Sequence, residues 1–252
     1  MSVHGLPQKI PVAAIGAVIR AGWRDFQGLS AVSMGFAASF VITGLLMITV
    51  LVESGLAPMV PPLVGGFMIF GPVALAGFFA LREARRAGRP VSLGTAYGAM
   101  RHALRPVWVM GVFCVFIVLI WLTDAGTLYS FMVGDRHATW LSIIPTTSQL
   151  LRFHFGAAIM GGVLALIVYV VTVHAVPLLI RGEGTLVSAV SASVRAVGRS
   201  PVAHLLWAAV LAVTVMAGIF LLPTLLIVLP VMAYASAHWT EAVFPGSANP
   251  SP

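Results

Sequence analysis

Charge is what this chain has least of. Asp, Glu, Lys and Arg make up 8% of its 252 residues and hydrophobic residues 60%, with a mean hydropathy of +1.03. A water-soluble domain carries about 25% charged residues, so an aqueous surface cannot be covered with what is here. Cysteine is nearly missing too. The single Cys114 lies in an apolar run, cannot close an intramolecular disulfide and belongs to no CxxC motif; its expected role is that of a small buried side chain. GxSxG, HExxH, GxGxxG and P-loop patterns are all lacking, so no enzyme is indicated. No carboxylate stands near the centre of any long apolar run. That counts against an ion-driven transporter, which places an acid there.

Long apolar runs, in contrast, are plentiful. From Ser200 to Thr240 there is no Asp, Glu, Lys or Arg. About 20 apolar residues cross a bilayer's hydrocarbon, so this run is two crossings, with a turn expected at Leu221-Leu222-Pro223-Thr224. The fold class that follows is all-α and polytopic, a single membrane domain over 1–252. Six spans are expected, at about 31–52, 58–81, 106–123, 155–180, 201–222 and 224–243. The N-terminal stretch, interrupted by Arg20, Arg24 and Asp25, does not read as a secretory signal.

The net charge of +7 is distributed in a pattern. With the N-terminus inside, 12 of the 14 basic residues fall on the cytoplasmic side of a six-span topology, and only Arg136 and Arg152 fall outside. Both termini are therefore expected in the cytoplasm. The same rule explains the basic pI without nucleic acid, for which no platform of alternating aromatics and cations exists. Trp23, Trp108, Trp207 and Trp239 are expected near the inner interface, Trp121 and Trp140 near the outer one. The connection from Asp124 to Arg152 is the longest loop expected.

Three segments share one plan. Arg20 and Arg24, Arg101 and Arg105, and Arg195 and Arg199 each form R-x-x-x-R at the end of a short amphipathic stretch, and a span follows each. The stretches, at about 12–26, 92–104 and 184–198, carry stripes at helical spacing: Ile15, Val18, Ile19 and Phe26; Leu93, Tyr97, Met100 and Leu104; Leu186, Val190, Val194 and Val197. Such helices lie in the headgroup layer with Arg toward phosphate, so the six arginines are candidate lipid-facing residues. The repeat predicts three helical hairpins around a common axis. Gly35/Ser39/Thr43, Ala157/Gly161, Ala158/Gly162 and Ala208/Ala212 are candidate close-packing faces. Pro72, Pro177 and Pro230 are candidate kinks.

Histidine is the residue type with latent chemistry. His174, His204 and His238 are expected at similar depth in the inner leaflet on three spans, where imidazoles can hold haem or copper. The competing reading has each ring bonding a carbonyl freed by Pro177, Pro201 or Pro230. The eleven Met residues are scattered without an MxxM pattern and read as gap-filling.

Several stretches resemble one family. They are Ala21-Gly22-Trp23-Arg24-Asp25-Phe26, Phe70-Gly71-Pro72 leading to Arg82-Glu83 and Arg85-Arg86, Val176-Pro177-Leu178-Leu179 with Arg181, Ser193-Val194-Arg195-Ala196-Val197, Ser200-Pro201, and Pro230 followed by Ala235-Ser236 and His238. Together they resemble the bacterial integral-membrane domain-of-unknown-function family 2189. The resemblance implies a multi-pass inner-membrane protein without an assigned biochemical role. Some members carry a cytochrome c oxidase label, which six spans do not support. At the C-terminal motif Tyr234 and Ala237 stand where the family has His and Trp, and only His238 is kept. Three functions remain open from sequence: an accessory or assembly partner of a larger, for example respiratory, membrane complex; a passive lipid or small-solute transporter; and a haem or copper binder.

Overall fold

The computed structural model describes residues 6–69, 71–134 and 140–245. It is built from helices, with no strand among the described residues. Eleven α-helices are described: α1 Ala14–Gln27, α2 Ser30–Glu53, α3 Val60–Ile69, α4 Gly71–Arg86, α5 Leu93–Arg101, α6 Arg105–Met132, α7 Ser148–Thr172, α8 Ala175–Ile180, α9 Leu186–Arg199, α10 Pro201–Phe220 and α11 Leu225–Val243. Five stretches are long and apolar enough to cross a membrane: 30–53, 105–132, 148–180, 201–218 and 225–243. The segment expected as a second span, 58–81, is described as α3 and α4 on either side of Phe70, which lies outside the described residues together with His4, Asp135, Arg136 and His137. The turn at Pro223 is present as a 3-10 turn, Leu222–Thr224.

Two boundaries differ from the sequence reading for clear reasons. The third apolar helix does not stop at Thr123 but continues to Met132, because Asp124 to Ser130 hold no proline and the single Gly126 costs only about 1 kcal/mol. It ends where Gly134 takes the left-handed backbone at φ 64° and its N–H reaches the Tyr129 carbonyl. The long outer loop of 124–152 is thereby reduced to the connection between Met132 and Ser148. The fourth apolar segment is interrupted at Val173–His174. Pro177 has no N–H to give the Val173 carbonyl, and its ring crowds that same carbonyl.

The chain divides into two compact units. One comprises 1–38, 71–111 and 169–252, and the other 39–70 and 112–168. In the first, each amphipathic helix packs on a different long segment: α1 on α11, α5 on α4 and α9 on α8. The face each helix buries is not always its large apolar stripe. α1 buries Val18, Gly22 and Phe26 as expected. α9 instead buries Ala189, Ala192, Ser193 and Ala196, and α5 buries Ala96. Val194, Leu93, Tyr97 and Leu104 face outward. Small residues let two helix backbones approach closely, and the larger apolar groups are left to meet lipid. Between α2 and α11, Ser33 Oγ and the Tyr234 hydroxyl are 2.6 Å apart. The Phe36 ring lies over Gly77, where a Cβ would come within 2.4 Å of it.

The second unit is held by a cluster of Met59, Cys114, Trp121, Ala125, Tyr129, Phe153, Ala157 and Val168. Trp121 is thus a core residue and not part of an interfacial belt: its indole lies on Gly161, whose absent side chain makes the room. Of the expected small-residue faces, Ala157/Gly161 is buried. Ala158/Gly162, Gly35 and Thr43 face outward, and Ala208 and Ala212 are half-buried.

The docking of α1 gives a direct test. A Cβ on Gly22 would sit 2.7 Å from the backbone N of Ala235 and the carbonyl of Val231, whereas one on Gly16 meets nothing within 4 Å. Gly22→Ala is expected to cost about 1–3 kcal/mol through overpacking. Gly16→Ala on the same helix should be neutral or stabilising by up to about 1 kcal/mol. Thermal unfolding in detergent followed by circular dichroism compares the two.

Candidate functional site

The first unit contains two polar clusters that the fold assembles from distant parts of the chain. The larger is centred on Arg82, near the C-terminal end of α4, whose side chain is 3% exposed. Its Nε donates to Asp25 Oδ2 of α1 at 2.8 Å. Its two terminal nitrogens fork onto Glu241 of α11, Nη1 to Oε1 at 2.7 Å and Nη2 to Oε2 at 2.9 Å. Arg181, which caps α8, adds a bond to Glu241 Oε1 at 2.9 Å, and Arg86 adds another at 3.3 Å. Three helices therefore meet at one guanidinium, and the end of a fourth, α8, joins them through Glu241. The planar fork suits this position because it serves two carboxylates at once with fixed geometry.

His238 belongs to this cluster. Its Nε2 is 2.9 Å from Asp25 Oδ2 and its Nδ1 3.3 Å from Glu241 Oε2, with Arg82 Nη2 at 3.2 Å from both ring nitrogens. Burial works to raise the Asp25 carboxyl, but hydrogen bonds from His238 and Arg82, with the charge of Arg82, hold it down at about 2. Burial works to lower the Arg82 guanidinium, and the bidentate partner Glu241 together with Asp25 raises it instead.

The second cluster is made by His174 and His204, both fully buried. Their Nε2 atoms are 2.9 Å apart. His204 Nδ1 lies 2.9 Å from the Ser200 carbonyl, and His174 Nδ1 lies 3.1 Å from Thr240 Oγ1. These contacts fix the tautomers. A carbonyl only accepts, so His204 Nδ1 carries its hydrogen, and the neutral ring then accepts at Nε2. His174 must donate from Nε2 and accept at Nδ1 from the Thr240 hydroxyl. One directed chain runs from Thr240 through both rings to Ser200, the residue before Pro201. A metal ion on these Nε2 atoms would have to replace the proton they share.

Ser193 of α9 explains how His174 is positioned. The Val170 carbonyl and the His174 N–H, four residues apart, would pair in an unbroken helix. Ser193 Oγ stands between them instead, accepting from His174 N at 3.3 Å and donating to Val170 O at 2.8 Å. A hydroxyl inserted into the ladder beside the Pro177 break turns the segment and satisfies both groups it separates. Aromatic rings close the site: His204 is edge-on to Trp239, which stacks on Trp207, and Phe244 lies edge-on to His174. Trp207 and Trp239 are completely buried and are not interfacial anchors, unlike Trp23 and Trp108, which are exposed. Trp140's side chain and that of Pro72 lie outside the described part.

Of the three histidines grouped by depth, the structure brings two together and places His238 with the charges. Among the described residues no group of three or more His, Cys, Asp or Glu is arranged to hold a metal ion. Pro72 is the second residue of α4, Pro177 the third of α8, and Pro230 lies inside α11. Arg20, Arg24, Arg101, Arg105, Arg195 and Arg199 are all exposed. Sequence reasoning missed the Arg82 cluster. Its signal was present: acids are so few that Asp25, Glu83 and Glu241 at segment ends required partners.

Removing Arg82 takes the shared guanidinium from two half-buried carboxylates, leaving Asp25 with His238 and Glu241 with Arg181 and Arg86. Arg82→Met is expected to destabilise the protein by about 3–5 kcal/mol, measured by unfolding in detergent. The Asp25 contribution also has a defined pH window. Its folded value is depressed from 3.8 to about 2, so its stabilisation is full above the unfolded value and fades as pH falls through the folded one. Between about pH 4 and pH 2 the wild type should lose stability more steeply than Asp25→Asn, which starts lower at neutral pH.

No curated protein and no solved structure matches the chain. A family model matches 59–181, a stretch that includes Arg82, His174 and Arg181 but neither Asp25, His204, His238 nor Glu241. Over those residues, just under half its length, the chain matches the family described as predicted integral membrane protein, domain of unknown function 2189, the family that its motifs resemble.

Proposed function

We propose that this integral membrane protein is a non-catalytic accessory or assembly partner of a larger complex in the bacterial inner membrane, for example a respiratory one. In this reading it crosses six times with both termini in the cytoplasm. The orientation is supported by a segregation of charge. All twelve basic residues assigned to the cytoplasm belong to the first compact unit, against four carboxylates there. The polar groups of its two clusters, around Arg82 and around the His174–His204 pair, are engaged with one another, as in a structural clasp.

One observation carries the partner reading. Gly161 is required inside the fold, because the Trp121 indole occupies the place of its side chain. Its neighbour Gly162 faces outward with nothing within 4 Å of a Cβ. Ala158, one turn earlier, is also exposed. Their small size serves no contact within the chain, and in lipid such a face is where another helix approaches. The transporter reading has less support, since Trp207, Trp239 and Tyr234 fill the interior of the first unit.

The test is Ala158→Leu with Gly162→Leu, compared with wild type after solubilisation in mild detergent. Folding should be preserved by circular dichroism, while the larger species seen by size-exclusion chromatography and its cross-linked partner disappear. A wild type that runs as a monomer, or a complex untouched by the double substitution, would refute the proposal.

A further inference from the structure

Helix α1 carries an apolar groove with cations on its rim. The groove, of about 580 Å³, is lined by Ala17, Ile19, Arg20, Trp23, Arg24 and Val231. Its position is fixed, because Gly22 locks α1 directly onto the α11 backbone. Trp23 is 43% exposed beside it. Arg20 and Arg24, one turn apart, stand on the same side of the helix. Arg20 spends its Nε on the Gly16 carbonyl of its own helix at 3.2 Å. Neither arginine has a carboxylate within ion-pair distance among the described residues. The nearest acid in sequence, Asp25, is committed to Arg82 and His238.

The geometry points to a binding site for one anionic phospholipid in this groove. Its phosphate lies between Arg20 and Arg24, and an acyl chain follows Ala17, Ile19, Trp23 and Val231. Charge complementarity selects the occupant: two unneutralised guanidiniums beside an apolar floor match an amphiphile with a negative head. A free phosphate would leave the floor uncovered. A zwitterionic lipid brings a cation of its own to the arginine pair. This site deepens the membrane placement proposed above by naming a lipid class, and it does not depend on any protein partner.

The experiment is native mass spectrometry of the full chain in mild detergent, titrated separately with phosphatidylglycerol and phosphatidylethanolamine. The first phosphatidylglycerol should bind at least tenfold tighter than phosphatidylethanolamine. Arg20→Gln with Arg24→Gln should weaken that event about 30-fold, at roughly tenfold or less per surface arginine. Arg101→Gln with Arg105→Gln, which removes equal charge elsewhere, should leave it unchanged. Ala17→Phe, on an exposed position, should fill the groove and weaken binding with both arginines intact. All variants are checked for unchanged helix content. Equal affinity for the two lipids, or equal loss in the two arginine pairs, would overturn the site. Neither result touches the partner reading, which is read from complex formation and not from lipid.

Discussion

The first compact unit depends on burying one guanidinium completely. Away from water Arg82 is tolerable only if its hydrogen-bond donors face acceptors and its charge faces carboxylates. That requirement fixes the ends of α1, α4, α8 and α11 at one point. Asp25, Glu241 and the Arg181 cap are each useful only in that common geometry. Apolar packing in lipid has little direction, because hydrocarbon outside resembles side chains inside. A buried ionic clasp supplies the direction that packing lacks.

The histidine pair obeys the same economy of polar groups in a neutral form. Each donor in the chain from Thr240 to Ser200 has one acceptor, and the order of tautomers follows from the carbonyl at its end. Ser193 repairs the backbone where Pro177 interrupts it. Proline and serine on two different helices thus form one device, which bends a segment and pairs the Val170 carbonyl and the His174 N–H that the bend separates. Charged and neutral clusters meet on α11, where His238 and Glu241 serve one and Thr240 the other.

Much of the architecture was legible. Apolar run length located the long helices, and the R-x-x-x-R stretches at Arg20/Arg24 and Arg195/Arg199 lie toward the ends of Ala14–Gln27 and Leu186–Arg199, whereas Leu93–Arg101 stops at Arg101 and Arg105 opens the next helix. Orientation of those helices was less legible. Periodicity shows where large apolar residues fall, and in α9 it is the alanines that meet protein. The belt assignment misled for Trp121, Trp207 and Trp239, because an indole suits a glycine-cleared interior as well as an interface. Depth arguments found His174 and His204 but not their separation from His238. Which of three nearby side chains touch depends on helix rotation, and the apolar pattern of a span that is hydrophobic all round does not encode it.

The clasp joins the two ends of the chain across its middle, and this has a bearing on biosynthesis. Arg82 and Glu241 are 159 positions apart. At ordinary translation speeds of 5–20 residues per second, roughly 8–30 s separate the emergence of the arginine from that of its forked partner. Throughout that interval the nascent protein holds a cation whose forked carboxylate partner has not yet been made. The first unit is therefore finished only when α11 arrives, and a chain that stops before it lacks the carboxylate that the Arg82 fork requires.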